Sequence, residues 1–159
     1  MLRPAGKEDF KFIFELYMNP YVNRYLLYEQ MDEDSFRPIF DELIEKKVLF
    51  VYENNNRAVG MCKLVPQQHR NSHIVYLGGV AIHPEFGGRG EGSRMLKEII
   101  DYVKGKKFLR IELSVATINE RAIKLYEKAG FMKEGVLKRF TYLNSEDKFL
   151  DEAVMAYLI

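Results

Sequence analysis

The chain has a single cysteine, Cys62, and only three histidines. One thiol cannot close an intrachain disulfide, and one cysteine with scattered histidines cannot build a Cys/His metal cage. A disulfide-stapled or zinc-held domain is therefore excluded, no metal is expected, and a reducing, cytoplasmic setting is. Charge of one sign is also scarce: 24 basic and 23 acidic side chains leave +1, with no surplus to hold nucleic acid or an anionic membrane surface. No stretch approaches the ~20 apolar residues of a membrane span. The opening MLRPAGKEDFKF has charges where a secretion signal needs an unbroken apolar run. Repeats, low-complexity tracts and linkers are missing too, so residues 1–159 are expected to form one soluble domain around one core.

What is present reads as alternating elements. Leu2 and Arg3, before Pro4, suggest a short edge strand. Phe10, Ile13, Phe14 and Tyr17 recur at helical spacing within Asp9 to Tyr17, and the pattern breaks at Asn19-Pro20. Phe36, Ile39, Phe40, Leu43 and Ile44 predict a second helix, capped by Asp34 or Ser35 and with Pro38 in its first turn. VLFVYE and AVGMCKLV, on either side of Asn54-Asn55-Asn56, predict a β-hairpin. Ile74 to Ile82 is a long strand pattern broken by Gly78-Gly79, which marks a bulge or a close backbone approach. An amphipathic helix follows on Met95, Leu96, Ile99, Ile100 and Val103, then a strand from Phe108 to Val115, so this pair of strands should be parallel. A helix from Asn119 to Ala129 stops at Gly130, and Val136 to Leu143 with Phe149 to Leu158 predict a closing hairpin through Asn144-Ser145-Glu146.

Between the long strand and its helix lies PEFGGRGEGS, residues 84 to 93. Glycine admits φ > 0 and close approach at a conformational cost of roughly 0.5–1 kcal/mol each. A helix N-terminus behind such a turn offers unpaired N–H groups and partial positive charge, a setting for phosphate. The dinucleotide pattern GxGxxG fails on Gly88-Arg-Gly90-Glu-Gly92, and a Walker A loop fails because Gly92 is followed by Ser93-Arg94. The remaining readings are a phosphate cradle for another nucleotide-like ligand and a plain flexible turn.

The stretch VAIHPEFGGRGEGSRMLKEIIDYV, followed by RIELSVATINERAIKLYEKAGF, resembles the two signature blocks of the GNAT superfamily of acetyl-CoA-dependent N-acetyltransferases. Asn119, Ala122, Leu125, Tyr126, Gly130 and Phe131 match the second block in full; in the first, Gly90 and Gly92 match, while the family's Arg or Gln falls on Gly87. The order of elements fits along essentially the whole chain. The resemblance implies an α/β (α+β) fold: a mixed, mostly antiparallel sheet of six to seven strands, a central parallel pair, and about four helices on both faces.

It also implies roles. Acetyl-CoA is the expected co-substrate, its pyrophosphate resting on the amides of Gly88, Arg89, Gly90, Glu91, Gly92 and Ser93, with Gly87 the irregular position and Asn119 nearby. Arg89 is either a phosphate contact or a solvated loop cation, and Glu91, whose charge would repel pyrophosphate, is expected to turn to solvent. Val80, Ala81 and Ile82 would meet the pantetheine arm as an added strand does. Tyr126 is the expected proton donor to the departing thiolate, set against the reading of a helical tyrosine as core. The fourth strand carries no glutamate, and Ser114 occupies the alternative position of a base; Glu112, two residues back on the same face, is the candidate, with His73, His83 or water-mediated proton removal beside it. The acceptor, a small-molecule amine of amino-acid or polyamine type or else a protein N-terminus, would enter between Tyr21, Arg24, Tyr25, Tyr28 and Glu29 on one wall and Phe140 and Tyr142 on the other. A non-catalytic acyl-CoA-sensing or partner-binding module is the competing class, and the closing hairpin suits a homodimer.

Overall fold

Seven runs of extended chain pair in one sheet: β1 (Leu2–Pro4), β2 (Leu49–Asn54), β3 (Arg57–Pro66), β4 (Ile74–Ile82), β5 (Arg110–Ala116), β6 (Met132–Leu143) and β7 (Lys148–Leu158). The computed structural model describes every residue from Met1 to Ile159. Across the sheet the order is β1-β2-β3-β4-β5-β7-β6. All neighbours are antiparallel except β4 and β5. The expected parallel pair is thus central, with α4 (Glu91–Gly105) as its crossover.

Five helices accompany the sheet where about four were expected. The break at Asn19-Pro20 holds a short helix of its own: α1 (Phe10–Met18) stops, Asn19 Oδ1 accepts from the Tyr21 N–H at 3.0 Å, and Pro20 opens α2 (Pro20–Asn23). The cap of α3 (Glu33–Glu45) is Asp32 rather than Asp34 or Ser35; its carboxylate accepts from the Ser35 N–H at 2.8 Å. Pro38 consequently sits inside the helix, beyond its first turn. Asn119 caps α5 (Glu120–Lys128) by accepting from the Ala122 N–H, and Gly130 closes it at φ +102°.

The β2–β3 turn narrows to Asn55 and Asn56, both at positive φ, as a two-residue hairpin with right-handed strand twist requires. At Gly78-Gly79 the expected bulge is present: the pairing skips between Met61 and Lys63, and Gly79 has φ +57°.

Side-chain alternation along the strands splits the interior into two layers. One face of the sheet packs Cys62, Leu77, Leu113 and Met155 against α4 and α5 through Met95, Leu96, Ile99 and Tyr126. The other packs Val51, Met61 and Ala81 against α1 and α3 through Ile13, Tyr17, Phe36 and Phe40. β4 and β5 keep register only over Ile74–Arg110, Val75–Ile111 and Tyr76–Glu112. Beyond these pairs β4 stays with β3 and β5 stays with β7, and a gap opens between them toward the glycine turn.

A Cβ at Gly130 would stand 3.0 Å from the Tyr157 ring in a backbone conformation that L side chains rarely adopt. Gly130→Ala is expected to lower stability by at least about 1 kcal/mol, read as a reduced urea midpoint at unchanged slope.

Candidate active site

The turn after β4 begins with a short 3₁₀ segment, Pro84–Phe86, closed by the Gly87 N–H donating to the Pro84 carbonyl at 3.0 Å. Gly87 has an ordinary φ of −61° and its amide is already used, so the receptive stretch starts one residue later. Gly88 and Gly90 take φ of +74° and +79°, and a Cβ at Gly88 would meet nothing within 4 Å. From Gly88 through Ser93 the backbone N–H groups donate to no acceptor in the chain; the first intrachain bond is Arg94 N–H to the Gly90 carbonyl at 3.1 Å. These amides sit at the positive end of α4, a fifteen-residue helix. Arg89 is exposed and its guanidinium is unpaired, while its carbonyl accepts from Arg94 at 2.6 Å. The residues present therefore fit a pyrophosphate group.

Glu91 departs from expectation. Its side chain is 6% exposed rather than solvent-facing. It turns away from the turn and back onto the β2 end, accepting from Tyr52 Oη at 3.1 Å, Asn54 Nδ2 at 3.0 Å and Arg94 at 3.1 Å. Burial alone would raise its pKa, but the Asn54 and Tyr52 hydrogen bonds and the Arg94 charge outweigh this and hold it below the usual value. The charge that would repel phosphate is thereby neutralised and aimed elsewhere, and the carboxylate ties the start of α4 to the β2–β3 hairpin.

Beside the turn, α4 and α5 enclose a groove of about 350 Å³ lined by Ser93, Lys97, Lys104, Lys128, Leu125 and Tyr157 among others. Lys97 bonds Asp101 at 2.7 Å and Lys104 reaches Tyr157 Oη at 3.3 Å. The sequence reading missed these lysines, although Lys97 and Lys104 lie seven apart on one helix face. Gly92 is where the two helices touch: a Cβ there would be 3.1 Å from Leu125 Cδ2.

On the α4–α5 face of the gap stands Tyr126, buried edge-on against Phe131 at 5.7 Å between centroids. Burial, with Cys62 and Tyr76 nearby, pushes its phenol pKa up, so it stays protonated. Its hydroxyl makes no hydrogen bond within the chain. Val80 and Ile82 are half-buried along the gap, whereas Ala81 points into the opposite layer and is paired with Met61. Asn119 uses its Oδ1 in the helix cap.

Glu112, Ser114 and Tyr76 share the other face. Tyr76 Oη and Ser114 Oγ are 3.2 Å apart. Glu112, however, is already engaged: it accepts from Gln67 Nε2 and from Arg110 Nε at 3.1 Å, and Arg110 in turn grips Glu134. It lies where β4 and β5 are still paired, so it reads as a link between strands rather than a free base. His73 is exposed in the loop before β4, and His83 accepts from the Glu85 N–H while packing on Phe12.

A second cleft, about 500 Å³, lies between the α2–α3 segment and the β6–β7 hairpin. Arg24, Tyr28, Glu29 and Tyr142 line it as expected; Tyr21, Tyr25 and Phe140 are exposed outside it. Arg24 bridges the walls to Glu146 at 2.7 and 3.0 Å, and Glu29 accepts from Asn144 Nδ2 at 3.0 Å.

The family model for the acetyltransferase (GNAT) family matches residues 10–131. Spermidine N(1)-acetyltransferase of Escherichia coli K12 is 30% identical over 151 residues, covering 91% of this chain and 79% of that protein. N-alpha-acetyltransferase RimI of Mycobacterium tuberculosis is 31% identical over 70 residues, 44% of this chain and 42% of that protein. Among solved structures, spermidine N-acetyltransferase from Vibrio cholerae in complex with CoA and spermine superposes with a TM-score of 0.86 at 24% identity, covering 99% of this chain and 94% of that one.

The buried Glu91 carries a pH signature. Because the folded chain holds this carboxyl below the ordinary carboxylate pKa of about 4.3, its contribution is present at neutral pH and fades as pH falls through and below that value. Glu91→Gln is expected to lower stability by about 1–3 kcal/mol at pH 7. In urea unfolding at pH 7 and pH 3.5, the gap between wild type and variant should narrow at the lower pH.

Proposed function

The chain belongs to the GNAT acetyltransferase family, and from that premise we propose that it moves the acetyl group of acetyl-CoA to a primary amine of a small molecule, of amino-acid or polyamine type, by direct attack in a ternary complex. The observation that carries this reading is the run of unpaired amides from Gly88 to Ser93, at the head of α4 and beside the gap between β4 and β5. Acetyl-CoA, when bound, supplies an acetyl group already activated as a thioester.

Each region has a task in this reading. The Gly88–Ser93 amides hold the pyrophosphate through main-chain hydrogen bonds, with Arg89 free to add a charge-assisted one. Lys97, Lys104 and Lys128 give the adjoining groove the cations that a further phosphate on the nucleotide would meet. The unpaired edge of β4, at Val80 and Ile82, bonds the extended arm and orients the thioester in the gap.

Proton traffic falls to Tyr126. The new N–C bond forms as the C–S bond breaks; the amine loses one proton and the sulfur must gain one. The Tyr126 phenol, kept neutral by burial, holds that proton at Oη, within a dry wall that also excludes water. A covalent acyl-enzyme has little to form on: the sole thiol, Cys62, is completely buried and burial pushes its pKa well up. Direct attack is the simpler course. Since Glu112 is held by Arg110 and Gln67, the acceptor's own proton is best passed to solvent through the exposed Tyr76 and Ser114 hydroxyls.

Two measurements test the proposal. Acetyl-CoA at 100 times its Kd should raise stability by about 2.7 kcal/mol, seen as a higher melting temperature; a flat calorimetric titration at millimolar acetyl-CoA would sink it. Tyr126→Phe should lower kcat by about 10²-fold or more while the calorimetric Kd for acetyl-CoA stays within about twofold, and an unchanged kcat removes Tyr126 from the mechanism.

A further inference from the structure

Two polar groups take no part in that machinery, and both are in the layer under α1. Lys63 is 8% exposed in the middle of β3, opposite Gly78 in the register. Its ammonium joins none of the chain's ion pairs or side-chain hydrogen bonds, and it lies over the Tyr28 ring, 5.0 Å from Nζ to centroid. Tyr17 Oη is fully buried and has no hydrogen-bond partner. Both flank the glycine bulge of β4. A Cβ at Gly79 would be 2.9 Å from Tyr17 Oη and 3.5 Å from Lys63 Cε, and one at Gly78 would be 3.7 Å from Lys63 Cε and 2.9 Å from the Tyr76 ring.

A buried ammonium without a counter-ion and a buried hydroxyl without a partner are both costly, and native chains rarely retain either without a use. Burial pushes the Lys63 pKa down; an anion beside it would reverse that pressure and could take the Tyr17 proton as a hydrogen bond. The place is also suggestive. The bulge borders the gap where β4 leaves β5, and Tyr28 separates Lys63 from the 500 Å³ cleft that it lines. Of the acids of that cleft, Glu146 is paired with two nitrogens of Arg24, while Glu29 accepts from the neutral Asn144 amide through one oxygen and keeps its charge at the exposed rim. Beyond Tyr28 a polycationic acceptor would meet a buried cation with no counter-ion, and only Glu29 at the rim to offset it.

We infer that Lys63 and Tyr17 seat a carboxylate carried by the acceptor close to its amine, which makes this an acetyltransferase of acidic or amino-acid-type amines rather than of polyamines. Reached past Tyr28, the seat fixes one end of the acceptor while the amine faces the gap. The inference rests on the acetyl-transfer reading above and selects within it.

The test compares acceptors that differ only in charge: a set of amino acids, their carboxamides, and linear di- and triamines, each with acetyl-CoA and thiol release as the readout. Wild type should favour acid over amide by about tenfold or more in kcat/KM. Lys63→Met should bring that ratio to about one, and Lys63→Arg should retain it, both with unchanged affinity for acetyl-CoA. Lys63→Met should also melt no lower than wild type, since it removes an uncompensated buried charge; should it misfold, the wild-type ratio and Lys63→Arg still decide. Equal use of acid and amide by wild type, preference for the polyamines, or acetyl-CoA binding with no carboxylate-bearing amine acetylated would each overturn the seat. So would loss of acid and amide turnover alike in Lys63→Met. Failure of the transfer reading looks different: no acetyl-CoA binding, and no turnover with any amine.

Discussion

The site depends on a broken pairing. β4 and β5 are joined for three residue pairs and then part, because β4 bulges at Gly78-Gly79 and stays with β3 while β5 stays with β7. A parallel pair at the centre of a sheet would ordinarily be sealed along its length by hydrogen bonds. Here the unpaired backbone opens a slot between the two layers, with the glycine turn at one end, Tyr126 on one side and the Lys63–Tyr17 pair on the other. Neither layer alone provides a site, and the slot is where they communicate.

Much of the fold was legible because its elements follow plain periodicities. The α4 stripe, the β2–β3 hairpin around its asparagines and the α5 helix ending at Gly130 each state their geometry in local residue pattern. The misjudged details were decided by neighbours. Asp32 caps α3 although Asp34 and Ser35 also suit the role, since only the chain's approach determines which oxygen reaches an N–H. The short α2 helix has too few residues for a period to appear.

The site itself was legible in its backbone and not in its charges. The glycine turn and the tyrosine helix were readable, because glycine spacing and helix start are local facts. Glu91 was expected in solvent because its partners, Tyr52 and Asn54, are nearly forty residues away in the chain and come close only when the β2–β3 hairpin folds over. Glu112 met Gln67, 45 residues away, for the same reason, although Arg110 is two residues back on its own strand, and Lys63 passed unnoticed within an apolar strand. Electrostatic roles depend on what faces a group across the sheet, which one-dimensional spacing does not carry.

The contact at Gly92 has a further consequence. With no side chain between them, the first turn of α4 lies directly on Leu125, the residue before Tyr126. In the proposed reading, the anchor for the distant, unreactive half of the co-substrate and the proton donor at its reactive end are thus joined through this one contact. Grip on the nucleotide would then become alignment at the sulfur, and a thioester stripped of its nucleotide would suffer in rate as well as in occupancy.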